Sequence, residues 1–194
     1  METVKRETAK ERILRVASAL FYQEGIRAVG IDRIIQESGV AKASFYRNFA
    51  TKDDLIVAYL EQKQSASMAS LEEGRRLYPH APVKQLMYAI DRLVERMSSP
   101  GYRGCAFMNT AVEFPECGHP GHAAAVEGRN FLWRRIEEIA RDAGAHNPEE
   151  LAQQLRMLVS GAMMVAYMSR ESFNPGYFAQ AARTLVDNQL AMMD

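Results

Sequence analysis

Apolar positions recur at three- and four-residue steps along the whole chain, and no run alternates with the two-residue period of a strand. Ala9, Ile13, Val16, Ala17, Leu20 and Phe21 fall on one face of a first helix. Thr8 and Glu11 stand before it at capping-box spacing, and Gly25 follows Glu24 as its C-cap. A short second helix carries Ile31, Ile34 and Ile35, with Gly30 a weaker cap than Ser or Thr. A turn falls at Ser38-Gly39-Val40, where glycine adopts the positive φ of a helix exit without steric penalty. Val40, Phe45 and Phe49 then anchor a third short helix.

Thr51 caps a fourth helix, with Asp53 and Asp54 suited to its first turn, and Leu55, Ile56, Tyr59 and Leu60 lead into the polar run 61–65. Tyr78-Pro79-His80-Ala81-Pro82 breaks the chain before an amphipathic helix that carries Val83, Leu86, Met87, Ile90, Leu93, Val94 and Met97. A short apolar segment over 104–114 stops at Pro115, and a long helix is predicted from Ala123 to Ala143. Asn147-Pro148 opens a helix reaching Arg170, and Asn174-Pro175 opens the last, from Gly176 to Met193. The predicted fold is all-α.

The third helix leaves Lys42, Ser44, Tyr46, Arg47 and Asn48 off its core face, beside the small Ala43. Lys, Arg, Ser and Tyr hold phosphates, while amide, hydroxyl and guanidinium groups read base edges, so a helix entering a DNA groove needs such a mixture. A solvated helical hairpin offers the same local pattern, and the flanks decide between the two. Ala17-x-x-Leu20-Phe21-x-x-x-Gly25 precedes the turn and Phe49-x-x-Lys52-x-x-Leu55 follows it. Over residues 8–60 the chain resembles the TetR/AcrR family of bacterial transcriptional regulators. Ile34, Gly39-Val40, Phe45-Tyr46, Phe49 and Lys52-Asp53-Asp54-Leu55 carry the match in order and spacing.

That resemblance implies a three-helix helix-turn-helix DNA-binding domain over 1–52, followed by a larger helical effector-binding and dimerisation domain over 53–194. Lys42, Tyr46 and Lys52 are the expected phosphate contacts, with Ser44, Arg47 and Asn48 nearer the bases and Ala43 among them. Arg33 either replaces a phosphate contact that a capping hydroxyl would make at Gly30, or pairs with Glu37 one turn on. Lys5, Arg6 and Lys10 either reach a phosphate or are solvated. The fourth helix is expected to carry movement from body to head.

In the body, Phe107, Met108, Trp133, Met164 and Tyr167 suit an adaptable apolar pocket, with Asn109, Glu113 and Tyr167 as its polar partners. The same methionines and aromatics also suit an ordinary core. A small-molecule effector is the partner that the resemblance implies there. The last two helices carry small residues at Ser160-Gly161-Ala162, where a mid-helix glycine costs about 1 kcal/mol and points to close helix approach. Leu158, Gly161, Ala162, Val165, Leu185 and Gln189 are the expected homodimer contacts, with Met192 and Met193 adding apolar surface. Completion of an intrachain core is the alternative.

Charge sharpens this picture. Residues 1–52 hold ten Lys/Arg against six Asp/Glu, and the remainder 14 against 18, so a net charge of zero hides a basic head on an acidic body. Double-stranded DNA with a palindromic operator is the expected polyanion. With no unbroken apolar run long enough for a membrane helix and no apolar signal core after the charged N-terminus, a cytoplasmic protein without a membrane partner is expected. The two cysteines, Cys105 and Cys117, fit free thiols in a reducing compartment. His119-x-x-His122 with those thiols and Glu113 has zinc-type donors, but paired structural-zinc spacings are missing; a loop capping the next helix is the preferred reading, with no metal and no cofactor. Phosphate-loop, Gly-x-Ser-x-Gly and His-Glu-x-x-His motifs are absent, which argues against an enzyme.

Overall fold

The computed structural model describes residues 7–191, which form nine α-helices and no strand. They are α1 (Ala9–Glu24), α2 (Ile31–Ser38), α3 (Lys42–Asn48), α4 (Lys52–Leu77), α5 (Pro82–Ser98), α6 (Ala106–Glu113), α7 (Pro120–Asp142), α8 (Pro148–Met168) and α9 (Pro175–Ala191). Lys5, Arg6, Met192 and Met193 lie outside the described residues. Local chemistry accounts for the starts of α1, α4 and α8. Thr8 Oγ1 accepts from Glu11 N at 3.2 Å while Thr8 N donates to the Glu11 carboxylate at 2.7 Å, completing the capping box. Thr51 and Asp54 repeat that reciprocal arrangement before α4. Asn147 Oδ1 accepts from Glu150 N at 3.1 Å, with Pro148 at the first position of α8.

The chain divides into two compact units. The first comprises the residues up to Lys63 together with Ala106–Val126; the second comprises Gln64–Cys105 and the chain from Glu127 onward. Compactness therefore cuts the chain elsewhere than between residues 52 and 53: the first twelve residues of α4, α6 and the start of α7 belong with the helix-turn-helix. In the first unit α1 packs on both α2 and α3. Ile13, Ala17, Ile34, Phe45 and Leu55 are fully buried there, and the Phe21 and Tyr59 rings meet edge-on at 5.7 Å. Each such large apolar side chain stabilises the fold by roughly 1.5–3 kcal/mol relative to exposure.

In the second unit α5, α8 and α9 pack against one another. Leu151, Leu155, Val159, Ala162, Met163 and Ala166 form the buried stripe of α8, and Phe178, Ala182 and Val186 that of α9. A second stripe of α8 is also apolar but faces outward: Met157, Met164, Val165 and Met168 are exposed. The choice between an intrachain core and an open apolar surface thus resolves by face, because α8 carries both. Among the described residues, no helix is long and apolar enough to cross a membrane.

Candidate nucleic-acid interface

The turn between α2 and α3 forms as the residue types dictate. Gly39 closes α2 in the left-handed region (φ 63°, ψ 26°), its N–H donating to Ile35 and Gln36 carbonyls. Phe45, at 0% exposure, and Phe49, at 3%, then fix α3 by its inner face. The outer face carries Lys42, Ala43, Tyr46 and Arg47, all exposed, while Ser44 and Asn48 are half-buried. Lys42 Nζ lies 3.3 Å from Asp32 Oδ1, a surface pair of little strength. Asn48 folds back, its Nδ2 donating to Ser44 O at 2.7 Å, which leaves Oδ1 as its outward acceptor. The Arg47 guanidinium makes no hydrogen bond or ion pair with another described residue. It is the α3 cation that an incoming phosphate or guanine can engage without displacing a partner.

Two expected contacts are already engaged. Arg33 bonds Glu24 at 2.8 Å and Glu37 at 2.7 Å, and these hydrogen bonds hold its pKa above the ordinary arginine value, Glu24 contributing most. The Glu37 pairing is therefore realised, joined by Glu24. Lys52 Nζ turns inward to donate to Ile26 O at 2.6 Å and lies 5.9 Å from the Phe21 ring centroid. Burial lowers its pKa, against the opposing pull of Glu113 and Asp53.

Lys52 is one side of a clamp on the α1–α2 turn. Glu113, last residue of α6, is the other. Its carboxylate accepts from Ile26 N at 3.0 Å and Arg27 N at 2.7 Å, and its carbonyl accepts from Arg27 Nε at 2.6 Å. Gly25 has φ 94°, and a Cβ there would stand 3.4 Å from the Glu113 carboxylate. The Arg27 guanidinium covers the Phe114 ring at 4.9 Å, and that ring stacks on His119 at 4.1 Å. His119 Nδ1 accepts from Gly121 N at 3.0 Å, and its Nε2 faces Asp53 at 3.6 Å. His122 turns instead to Phe114 O at 2.7 Å. The two histidines thus brace the α6–α7 loop separately, and the thiols are free, Cys105 buried and Cys117 exposed.

Glu113 accordingly braces the α1–α2 turn from the end of α6, with both carboxylate oxygens engaged there. The other expected pocket residues do not share one unit. Phe107, Met108 and Asn109 belong to the first; Trp133, Met164 and Tyr167 belong to the second. Met164 (46% exposed) and Tyr167 (43%) lie on the surface, because the apolar residues of α8 occupy two faces. A cavity of about 280 Å³ does exist in the second unit, lined by Leu71, Glu72, Arg75, Gln85, Arg135 and Ile139 among others, a polar set from α4, α5 and α7. Of the expected dimer contacts, Gly161 and Val165 are exposed and Leu158 and Leu185 half-buried. Ala162 and Gln189 are buried within the protomer, and Gln189 Oε1 accepts from Asn147 N at 2.9 Å. Local helix pattern could not reveal that partner 42 residues away.

Comparison with known proteins fits this geometry. The model of bacterial regulatory proteins of the tetR family matches residues 13–59. The regulator AcuR of Cereibacter sphaeroides is 26% identical over 166 residues, spanning 81% of this chain and 76% of that protein. The activator FasR of Mycolicibacterium smegmatis is 24% identical, over 83% of this chain and 70% of its own. A solved TetR-family regulator from Streptomyces coelicolor superposes with a TM-score of 0.82 at 35% identity, over 95% of each chain. With a helix-turn-helix whose polar face is open and a relative this close along nearly its whole length, the chain belongs to the TetR/AcrR family and is a DNA-binding transcriptional regulator rather than an enzyme.

Proposed function

We propose that this regulator binds a palindromic operator as a homodimer in the cytoplasm and acts as a repressor that a small-molecule effector releases. The observation that carries the reading is the second apolar face of α8 and its neighbour on α9. Met157 (67% exposed), Met168 (73%) and Tyr177 (74%) stand out of the protomer beside Gly161 and Val165. A shallow apolar groove between Leu158, Tyr177, Ala181 and Leu185 continues that surface. Such a face supports an isologous four-helix contact, in which each copy supplies α8 and α9. A dimer presents two α3 helices about 34 Å apart, one DNA turn, which is why a palindrome is the matching site. Leu158, Gly161, Val165 and Leu185 remain the proposed contacts, joined by Met157, Met164 and Met168.

Within the head, Arg47 and Asn48 are the proposed base readers, with Lys42, Tyr46 and Lys52 toward phosphates. The test begins with a duplex selected from a random library. Binding to it should fall steeply with salt and exceed binding to random DNA by 10³-fold or more, roughly the usual range. Arg47→Ala should weaken the selected duplex by about 1–3 kcal/mol while leaving random DNA much less affected. Equal loss on both would make Arg47 a phosphate contact, and no preference for any duplex would overturn the operator reading.

A second reading keeps the architecture and reverses the sign. The similarity to FasR, which is described as a transcriptional activator, favours it. A reporter gene behind the selected operator separates the two by whether deletion of the regulator raises or lowers expression.

A further inference from the structure

Two arginines in the second unit lack what buried cations need. Arg129 of α7 and Arg156 of α8 are both half-buried. Among the described residues, neither has a carboxylate within ion-pair distance. Arg75, Arg96, Arg134, Arg170 and Arg183 also lack one, but they are exposed. Arg129 is held in place by neutral groups: Nη2 donates to Ser160 Oγ at 2.6 Å and Nη1 lies 3.3 Å from Cys105 Sγ. Ser160 spends its own proton on Arg156 O at 2.6 Å, so it presents only lone pairs to Arg129. The Arg156 guanidinium has no hydrogen-bond partner among the described residues. Burial first, and the charge of Arg129 second, hold its pKa below the ordinary arginine value.

Like charges that act on one another while partly shielded from water oppose folding unless an anion offsets them. Guanidinium forks match planar oxyanions by paired N–H donors, a fit that a lysine pair would not offer. We infer that Arg129 and Arg156 form the seat for the acid group of a small organic anion, a carboxylate or a phosphate monoester, bound in the body of the regulator. The inference rests on the reading of that body as effector-binding and assigns the effector's charge. Ser160 changes meaning with it, since its hydroxyl orients Arg129 rather than easing a close helix contact.

The experiment uses the full-length protein and a panel of benzoate, propionate and phenyl phosphate, against benzamide, propionamide and sodium chloride at matched ionic strength. At a hundredfold excess over its Kd, a seated anion should raise the Tm by roughly 5–10 °C, whereas the amides and chloride should not. Arg156→Gln should abolish that shift yet leave the unliganded Tm unchanged or raised, because the variant removes an unpaired charge. A purely structural arginine would instead lower it. Trp133, one helical turn from Arg129 on α7, reports occupancy by fluorescence.

The seat is overturned if amides protect as well as acids, if none of the anions protects, or if Arg156→Gln keeps the shift. It is also overturned if Arg156→Gln turns a dimer into a monomer, since the arginines would then face the other copy. Release from the selected duplex separates this inference from the functional reading. Anion binding that leaves DNA affinity intact supports the seat and removes effector release. Release by an uncharged compound, with no anion bound, does the reverse.

Discussion

The two compact units satisfy their polar groups and their apolar surface in opposite ways. Around the helix-turn-helix the large apolar side chains are mostly spent inward: Ile13, Ile34, Phe45 and Leu55 are at 0% exposure, and the exposed Val112 and Val126 of the same unit lie on α6 and α7. What the helix-turn-helix leaves open is polar, chiefly the outer face of α3 and the unpaired Arg47. The body leaves open apolar surface on α8 and α9, and holds two half-buried arginines with no carboxylate partner among the described residues. A unit complete in itself except for a polar face suits a polyelectrolyte partner. One with an unfinished apolar face suits a second copy of itself.

The largest way to break that contrast is Gly161→Leu. Nothing stands within 4 Å of a Cβ at this position, so the protomer tolerates the side chain and gains helix propensity. In a twofold contact the same side chain intrudes twice, at roughly 1–3 kcal/mol per copy. Sedimentation should show folded monomers with unchanged helix content and weak operator binding. An intact dimer would move the contact away from the centre of α8.

Removing the brace on the head comes next. Glu113→Ala takes the acceptor from the N–H groups of Ile26 and Arg27, two charge-assisted bonds of about 1.5–3 kcal/mol each before water replaces the one at exposed Arg27. Urea unfolding should show a loss of about 2 kcal/mol. Operator affinity should fall although residue 113 lies off the α3 face. Unchanged stability would mean that the turn holds itself.

How far all this could be read beforehand follows from the range of the interactions. Thr8, Thr51 and Asn147 are satisfied by residues three positions on, and Gly39 by carbonyls of its own helix, so local pattern sufficed for the helix-turn-helix turn and for the starts of α1, α4 and α8. Glu113 meets a turn 87 residues earlier, and no periodicity marks that. On α8 the difficulty differs: apolar residues lie on two faces, and spacing alone does not say which is inside. Spacing alone therefore does not place Met164 and Tyr167 on the outer face, or Ala162 on the inner one.

The smallest effect belongs to Lys52. Its pKa is lower in the folded protein than in the unfolded chain, so between those two values the unfolded state binds more protons and Lys52's contribution to stability rises with pH. Lys52→Met should flatten that alkaline gain. If its ammonium also meets a phosphate, the salt slope of DNA binding should drop by about one for every sequence. A slope that stays the same would make Lys52 a brace only.

The clamp also sets a timetable. The head draws on two stretches of chain separated by residues 64–105, which belong to the body. On the ribosome, α1, α2 and α3 emerge first, but the turn that joins α1 to α2 waits for Glu113, synthesised 50 residues after Lys63. At about 5–20 residues per second, that is a delay of roughly 3–10 s, during which the nascent head lacks its brace. A fragment cut after α3 would also lose Lys52 and the buried Leu55 and Tyr59, so a minimal DNA-binding piece of this regulator has to keep the first twelve residues of α4 together with the α6 strap or a replacement for it.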